Sequence, residues 1–190
     1  MDGIRLQDIY KRFGEKQVLS GYSLAVPAGG RVCLTGGSGS GKTTVLNIIM
    51  GLVKPDSGTI SGVPQKIAAV FQEDRLAEYL SAFTNVRFVT GNTLPDKEIA
   101  GILRELGLEG SEHCPSGELS GGMKRRAAIA RALAAESELV IMDEPFSGLD
   151  PETKSRVIKV INARTAGKTF ICVTHDVSDA SALNAEIVSI

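Results

Sequence analysis

Five short apolar runs punctuate the chain: "RVCLT" (31–35), "KIAAVF" (66–71), "ELVIMD" (138–143), "TFICVT" (169–174) and "AEIVSI" (185–190). Each is too short for a typical helix and apolar at consecutive positions, which is the pattern of a strand covered on both faces. Helical stretches separate several of them, so an α/β fold with a largely parallel central sheet is expected. Upstream, "IRLQDIYKRFGEKQVLSGYSLAVPAGG" alternates apolar and polar residues, with turn signals at Gly14, Gly21 and Pro27. That alternation predicts antiparallel strands flanking the sheet. Between Gln72 and Glu136 no strong strand appears, and helices are predicted at Asp96 to Leu106 and Gly122 to Ala135. The expected organisation is one domain over residues 1–190, with a core of 1–72 and 136–190 and a helical subdomain over 73–135.

The junction after the first apolar run carries the clearest chemistry. In "LTGGSGSGKTTVLNIIM", Gly36, Gly37, Gly39 and Gly41 fall within six positions. Glycine loses more conformational freedom on folding than any other residue, so such density implies a need for bare backbone. Val45, Ile48, Ile49 and Leu52 then recur at helical spacing, which makes the loop a strand-to-helix connection. Gly36 through Gly41, Lys42 and Thr43 fit G-x-x-x-x-G-K-[ST]. In that arrangement backbone amides curl around the phosphates of a nucleotide, the lysine reaches the β and γ phosphates, and the hydroxyl ligates Mg²⁺. The helix dipole adds about half a positive charge at the same point.

A phosphate loop needs partners to hydrolyse anything. "LVIMDEP" sets two acids at the carboxyl end of a predicted buried strand, where open α/β sheets bind their ligands. Asp143 is placed to hold Mg²⁺ and Glu144 to face an attacking water. His175 follows another such strand and is placed to meet a γ-phosphate. In "ELSGGMKRRAAIARAL", Ser120, Gly121 and Gly122 open an amphipathic helix, offering bare amides and a hydroxyl to a second anion. A serine N-cap with neighbouring glycines accounts for the same residues structurally. His113 stands in no motif.

Composition narrows the partners. A net charge of -1 gives no electrostatic case for nucleic acid, and the one basic cluster, Lys124, Arg125, Arg126 and Arg131, reads as a solvated helix face. No apolar run approaches the roughly 18 residues that span a bilayer. The first 14 residues carry charges throughout and lack the apolar stretch of a secretory signal, so a cytoplasmic location is expected. Cys33, Cys114 and Cys172 are far apart and odd in number, which suggests reduced packing residues rather than a disulfide framework or a zinc site.

Taken in order, these motifs resemble the ATP-binding subunit of an ATP-binding cassette (ABC) transporter over essentially the whole chain. "GGSGSGKTT" resembles the Walker A loop, so Gly36, Gly37, Ser38, Gly39, Ser40, Gly41, Lys42, Thr43 and Thr44 are expected to bind ATP. "LVIMDE" resembles Walker B, "LSGGM" the family signature and "SGLD", ending at Asp150, the D-loop. His175 resembles the switch histidine. Gln72 in "VFQED" resembles the Q-loop glutamine, which touches Mg²⁺ or the attacking water. Phe13 in "KRFG" matches the aromatic residue that stacks on adenine. The resemblance implies ATP and Mg²⁺ as ligands, with Thr43, Gln72 and Asp143 at the metal and Glu144, Gln72 and His175 in catalysis. It also implies a head-to-tail dimer, with each ATP between one copy's phosphate loop and the other's Ser120, Gly121 and Gly122.

Finer features are similar to importers of the nitrate, sulfonate and taurine type: "LSGGM", "FQEDRL" and "KRRAAIARAL". They imply transmembrane permease subunits and a solute-binding protein as partners, with the chain peripheral on the inner membrane face through the permease. Three departures from the family pattern stand out. Gly30 replaces an acidic residue, Met123 replaces the signature glutamine so that no nucleotide contact is carried to it, and the chain stops soon after His175. The last leads us to expect no regulatory domain of the kind many importer subunits carry. Three alternatives stay open: a soluble ABC protein acting on nucleic acid or ribosomes, an exporter subunit, and a P-loop kinase, which offers no reason for "LSGG" or His175.

Overall fold

The structure is a computed structural model and describes residues 3–190. In chain order the elements are β1 (Ile4–Phe13), β2 (Lys16–Val26), β3 (Arg31–Thr35), α1 (Lys42–Ile49), β4 (Ser57–Ser61) and β5 (Ile67–Val70). There follow α2 (Ala82–Thr90), α3 (Asp96–Glu105), a 3-10 turn at Ser116–Glu118, α4 (Gly121–Ala134) and β6 (Leu139–Asp143). The chain closes with α5 (Pro151–Arg164), β7 (Thr169–Val173), α6 (Val177–Ala182) and β8 (Glu186–Ser189). The five-stranded sheet has the order β5-β6-β7-β3-β8, and every pair in it is parallel. A separate antiparallel sheet has the order β2-β1-β4.

Alternation along the central strands sorts their side chains onto two faces. Leu139, Ile141, Ile171, Val173, Val32 and Leu34 join a cluster with α1 and the antiparallel sheet. Val140, Met142, Phe170, Cys172 and Cys33 join the other, which continues through α5 and α6 into α2, α3 and α4. All residues of β6 and β7 are buried, as expected for inner strands of a doubly covered sheet.

Both edge strands differ from the sequence expectation: β5 pairs only with β6, and two of its four residues are partly exposed. β8 pairs on one side only, with β3, and three of its four residues are exposed, so "AEIVSI" is an edge strand rather than one buried on both faces. The helical spacing also overruns: α1 ends at Ile49, and Leu52 lies in the turn beyond it, 58% exposed. Gly21 marks no turn. Between the pairs Ile9↔Tyr22 and Lys11↔Leu19, β2 carries one residue more than β1, and Gly21 sits in this bulge at φ 68° beneath the Tyr10 ring. Cys33 and Cys172 are core residues, whereas Cys114 is exposed. Among the described residues no helix is long and apolar enough to cross a membrane.

Candidate functional site

Because β3, β6 and β7 run parallel, their carboxyl ends open on the same edge of the sheet. The segments leaving them carry the predicted chemistry. After β3 comes the glycine loop. Gly41 adopts φ 104°, and a Cβ there would stand 2.8 Å from Leu19 Cδ2 and 3.2 Å from the Val18 carbonyl oxygen. Only glycine meets both constraints. Lys42, the first residue of α1, is buried, and its Nζ donates to the carbonyls of Gly36 and Gly37, 2.8 Å from each. The ammonium is thereby held over the loop. Thr43 Oγ1 donates to Asp143 Oδ2 at 2.8 Å, which ties α1 to the end of β6.

Burial raises the Asp143 pKa, while the Thr43 hydrogen bond and the positive charge of Arg125 and Lys42 pull it back. The next residue, Glu144, has φ 49°, a left-handed conformation that costs a non-glycine residue about 1–3 kcal/mol. Two bonds hold its peptide. The Glu144 N–H donates to the Val173 carbonyl at 3.0 Å, and its own carbonyl accepts from Arg125 Nη2 at 2.7 Å. The carboxylate Oε1 lies 3.1 Å from His175 Nε2, yet it is buried without an aligned hydrogen bond. Burial raises the Glu144 pKa; His175 opposes this and the neighbouring Asp143 charge adds to it.

These groups line one cavity of about 280 Å³. Its wall comprises Lys16, Val18, Ser38, Gly39, Gly41, Lys42, Thr43, Thr44, Gln72, Asp143, Glu144, Val173 and His175. Sequence reasoning passed over Lys16 and Val18. Lys16, at the start of β2, is paired in register with Phe13 at the end of β1, so the hairpin that carries the aromatic residue also sends a cation to the phosphate loop, and the Lys16 Nζ would lie 3.8 Å from a Cβ at Gly39. The Ser40 hydroxyl is buried in the loop without a partner.

The remaining predicted residues stand apart from the cavity wall. Phe13 is half exposed at the end of β1, with Lys11 Nζ 5.3 Å from its ring centroid. Ser120 caps α4, its hydroxyl accepting from the Met123 N–H, and Asp150 caps α5 by accepting from the Thr153 N–H at 2.9 Å. A Cβ on Gly121 would meet nothing within 4 Å, and one on Gly122 would only touch Leu149 and the Gly148 carbonyl. The backbone at Gly121 and Gly122 is thus uncrowded by other parts of the chain. His113 packs against Phe83, 5.2 Å between ring centroids.

The basic cluster of α4 is not a solvated face. Arg125 is buried, Arg126 donates to the carbonyls of Leu106 and Gly107, and Arg131 donates to those of Asp74 and Arg75. Carbonyl groups left exposed by neighbouring turns attract these guanidiniums, a relationship that composition does not reveal.

The oxygen-donor set fits Mg²⁺. Thr43 and Asp143 offer adjacent hard oxygens, and no group of three or more His, Cys, Asp or Glu among the described residues gathers to cage a metal. One or two protein oxygens completed by phosphate is the usual arrangement for that ion.

Comparison with known proteins agrees with this geometry. The chain is 38% identical over 185 residues to the aliphatic sulfonates import ATP-binding protein SsuB 2 of Rhodococcus jostii (strain RHA1), covering 95% of this chain and 75% of the relative. It is 33% identical over 199 residues to the taurine import ATP-binding protein TauB of Yersinia pestis bv. Antiqua, covering 97% and 78%. The dimeric structure of MJ0796, a bacterial ABC transporter cassette, superposes with a TM-score of 0.88 at 30% identity, covering 98% of this chain and 94% of that one. A bacterial Atm1-family ABC exporter with ATP bound shares the fold, with a TM-score of 0.85 at 22% identity over all of this chain and 37% of the exporter. The ABC transporter family model matches residues 19–147, and with these relatives it places the chain in the ABC transporter family, as one of its ATP-hydrolysing cassettes.

Proposed function

We propose that this cassette energises import of a small sulfonated or similarly anionic solute, and that its cavity is the Mg-ATP site. The observation that carries the site is the convergence of Lys42, Thr43, Asp143, Glu144, Gln72 and His175 on one cavity at the carboxyl edge of the sheet. Lys42 and the loop amides orient the phosphates. Thr43 and Asp143 would hold Mg²⁺, with Gln72 alongside, and the ion would neutralise charge developing on the phosphates. Glu144 accepts a proton from the attacking water, for which burial has raised its basicity, and His175 keeps the carboxylate turned toward the cavity. Phe13 supplies an exposed ring for the adenine.

The uncrowded backbone at Gly121 and Gly122 supports a second role, in which the ATP of another copy is contacted head to tail. The segment from Ala77 to Phe83, which follows Gln72 and carries Tyr79 at 83% exposure, is the face offered to a transmembrane permease. A solute-binding protein would deliver the solute to that permease, and the cassette would lie peripherally on the cytoplasmic membrane face. The solute class rests on the sulfonate and taurine import relatives.

Glu144→Gln tests the site: turnover should fall by about 10²–10⁴ while ATP still binds. Parental hydrolysis in this variant would overturn the assignment. For the solute, cells deprived of the chain should lose uptake of labelled alkanesulfonates. Unchanged uptake would exclude that class.

A further inference from the structure

Arg125 is the least exposed member of the α4 basic cluster, at 3%. From the second turn of the helix its guanidinium joins three segments of the chain. Nη1 donates to the Phe71 carbonyl at 2.6 Å and to the Asp74 carboxylate at 3.1 Å. Nη2 donates to the carbonyls of Asp143 at 3.1 Å and Glu144 at 2.7 Å. Residues 71–74 carry the chain out of β5, through Gln72, toward the helical region. Asp143 and Glu144 form the exit of β6.

A buried guanidinium usually faces carboxylates, whereas three of these four acceptors are main-chain carbonyls. Such bonds fix where a backbone runs. The Glu144 peptide needs fixing, since its left-handed conformation is one that non-glycine residues avoid. Val173 grips it by the N–H and Arg125 by the carbonyl. The planar fork can serve both β6 and the Gln72 segment at once, which a lysine ammonium cannot reproduce.

We infer that Arg125 is a positioning residue for ATP hydrolysis: it holds the strained Glu144 peptide so that the carboxylate faces the cavity, and it registers α4 and the Gln72 segment against that peptide. A shift of α4 relative to β6 is therefore felt at Glu144 through one side chain. The inference rests on the reading of Glu144 as the general base.

The test compares Arg125→Met, Arg125→Lys and Glu144→Gln, singly and with Arg125→Met added to Glu144→Gln. Mg-ATP turnover, Mg-ATP affinity by titration calorimetry and thermal midpoint are measured for each, with kinetics well below the lowest midpoint. Arg125→Met should lose about tenfold or more in kcat while its ATP affinity stays within about threefold, because misplacing a catalytic group by about 1 Å is enough for such losses. Arg125→Lys should fall between Met and the parent. On the Glu144→Gln background, Arg125→Met should change the residual rate by less than about twofold, since groups that act through one another are not additive. A merely structural role predicts a full multiplicative loss there, and that result overturns the inference. If Arg125→Met does not fold, Arg125→Lys decides, and parental kcat in it is an overturning result. Slow Glu144→Gln beside parental kcat in the Arg125 variants defeats the inference alone. Parental turnover in Glu144→Gln defeats the general-base reading and the inference with it.

Discussion

Thr43 and Asp143 stand one hundred positions apart in the chain and meet through a 2.8 Å hydrogen bond, joining the first turn of α1 to the last residue of β6. This contact sets a hydroxyl beside a carboxylate in the wall of the cavity. It also holds a charge out of water.

The stability consequence follows from the direction of the Asp143 shift. Its pKa is raised in the folded chain, chiefly by burial. The contribution to stability is therefore present below the ordinary carboxylate pKa and lost as pH rises through the raised value. Asp143→Asn avoids that loss, and its amide oxygen still accepts from Thr43. The variant should melt above the parent at pH 7 without nucleotide, with the gap closing toward pH 4, and should lose Mg²⁺-dependent turnover. A lower midpoint at pH 7 would show that attraction to Arg125 and Lys42 outweighs burial.

Glu144 sets a second pH dependence. Its pKa is raised by burial, opposed by His175 and reinforced by Asp143, and a general base works only when ionised. Turnover should fall about tenfold per pH unit below that raised value, with the inflection above the ordinary glutamate range. The pH profile of kcat measures it. An inflection at or below the ordinary range would contradict the burial argument.

Lys42→Ala should weaken ATP binding itself. The substitution removes a buried ammonium that the loop carbonyls hold in place, and hydrogen bonds to charged groups contribute about 1.5–3 kcal/mol each. At least a tenfold rise in the ATP dissociation constant is expected by titration calorimetry. Unchanged affinity would mean that the loop does not cradle phosphate.

Gly121→Asp should act only between copies. A Cβ there meets nothing within 4 Å, so the thermal midpoint should correspond to a change within about 0.5 kcal/mol. In a Glu144→Gln background saturated with Mg-ATP, the parent glycine should allow dimerisation, with nucleotide favouring the dimer by mass action. The added carboxylate would face phosphate, so dimers should disappear while ATP still binds. Sedimentation measures both, and equal dimer content would exclude the head-to-tail role of α4.

Phe170→Ala should strike the core. Phe170 is fully buried in β7 and forms the platform on which the Arg31 guanidinium lies, 4.4 Å from the ring centroid. A loss of about 3–5 kcal/mol is expected, read by denaturant unfolding. A loss below about 1 kcal/mol would mean that neighbouring side chains refill the space.

The sequence by itself determined the local chemistry of this protein. The runs that became β3, β6 and β7 announce themselves because strands buried on both faces must be apolar at every position, and the Gly36–Gly41 loop because its backbone tolerates no side chain where Gly41 meets Val18 and Leu19. Ordered motifs even suffice to suggest the family. Position in the sheet was another matter. "AEIVSI" has the composition of an inner strand and lies at the edge, because strand order depends on crossovers that local pattern does not encode. Helix α2 and strand β4, mostly exposed in the latter case, carry too weak a periodicity to be read. Tertiary structure alone decided the long-range pairs: Thr43 with Asp143, Glu144 with His175, Lys16 against the phosphate loop, and Arg125 with the main-chain carbonyls of Asp143 and Glu144. A cluster of arginines looks the same in sequence whether it faces water or buried carbonyls, because what separates the two is which turns leave carbonyl groups unpaired nearby, and that exists only once the chain has folded.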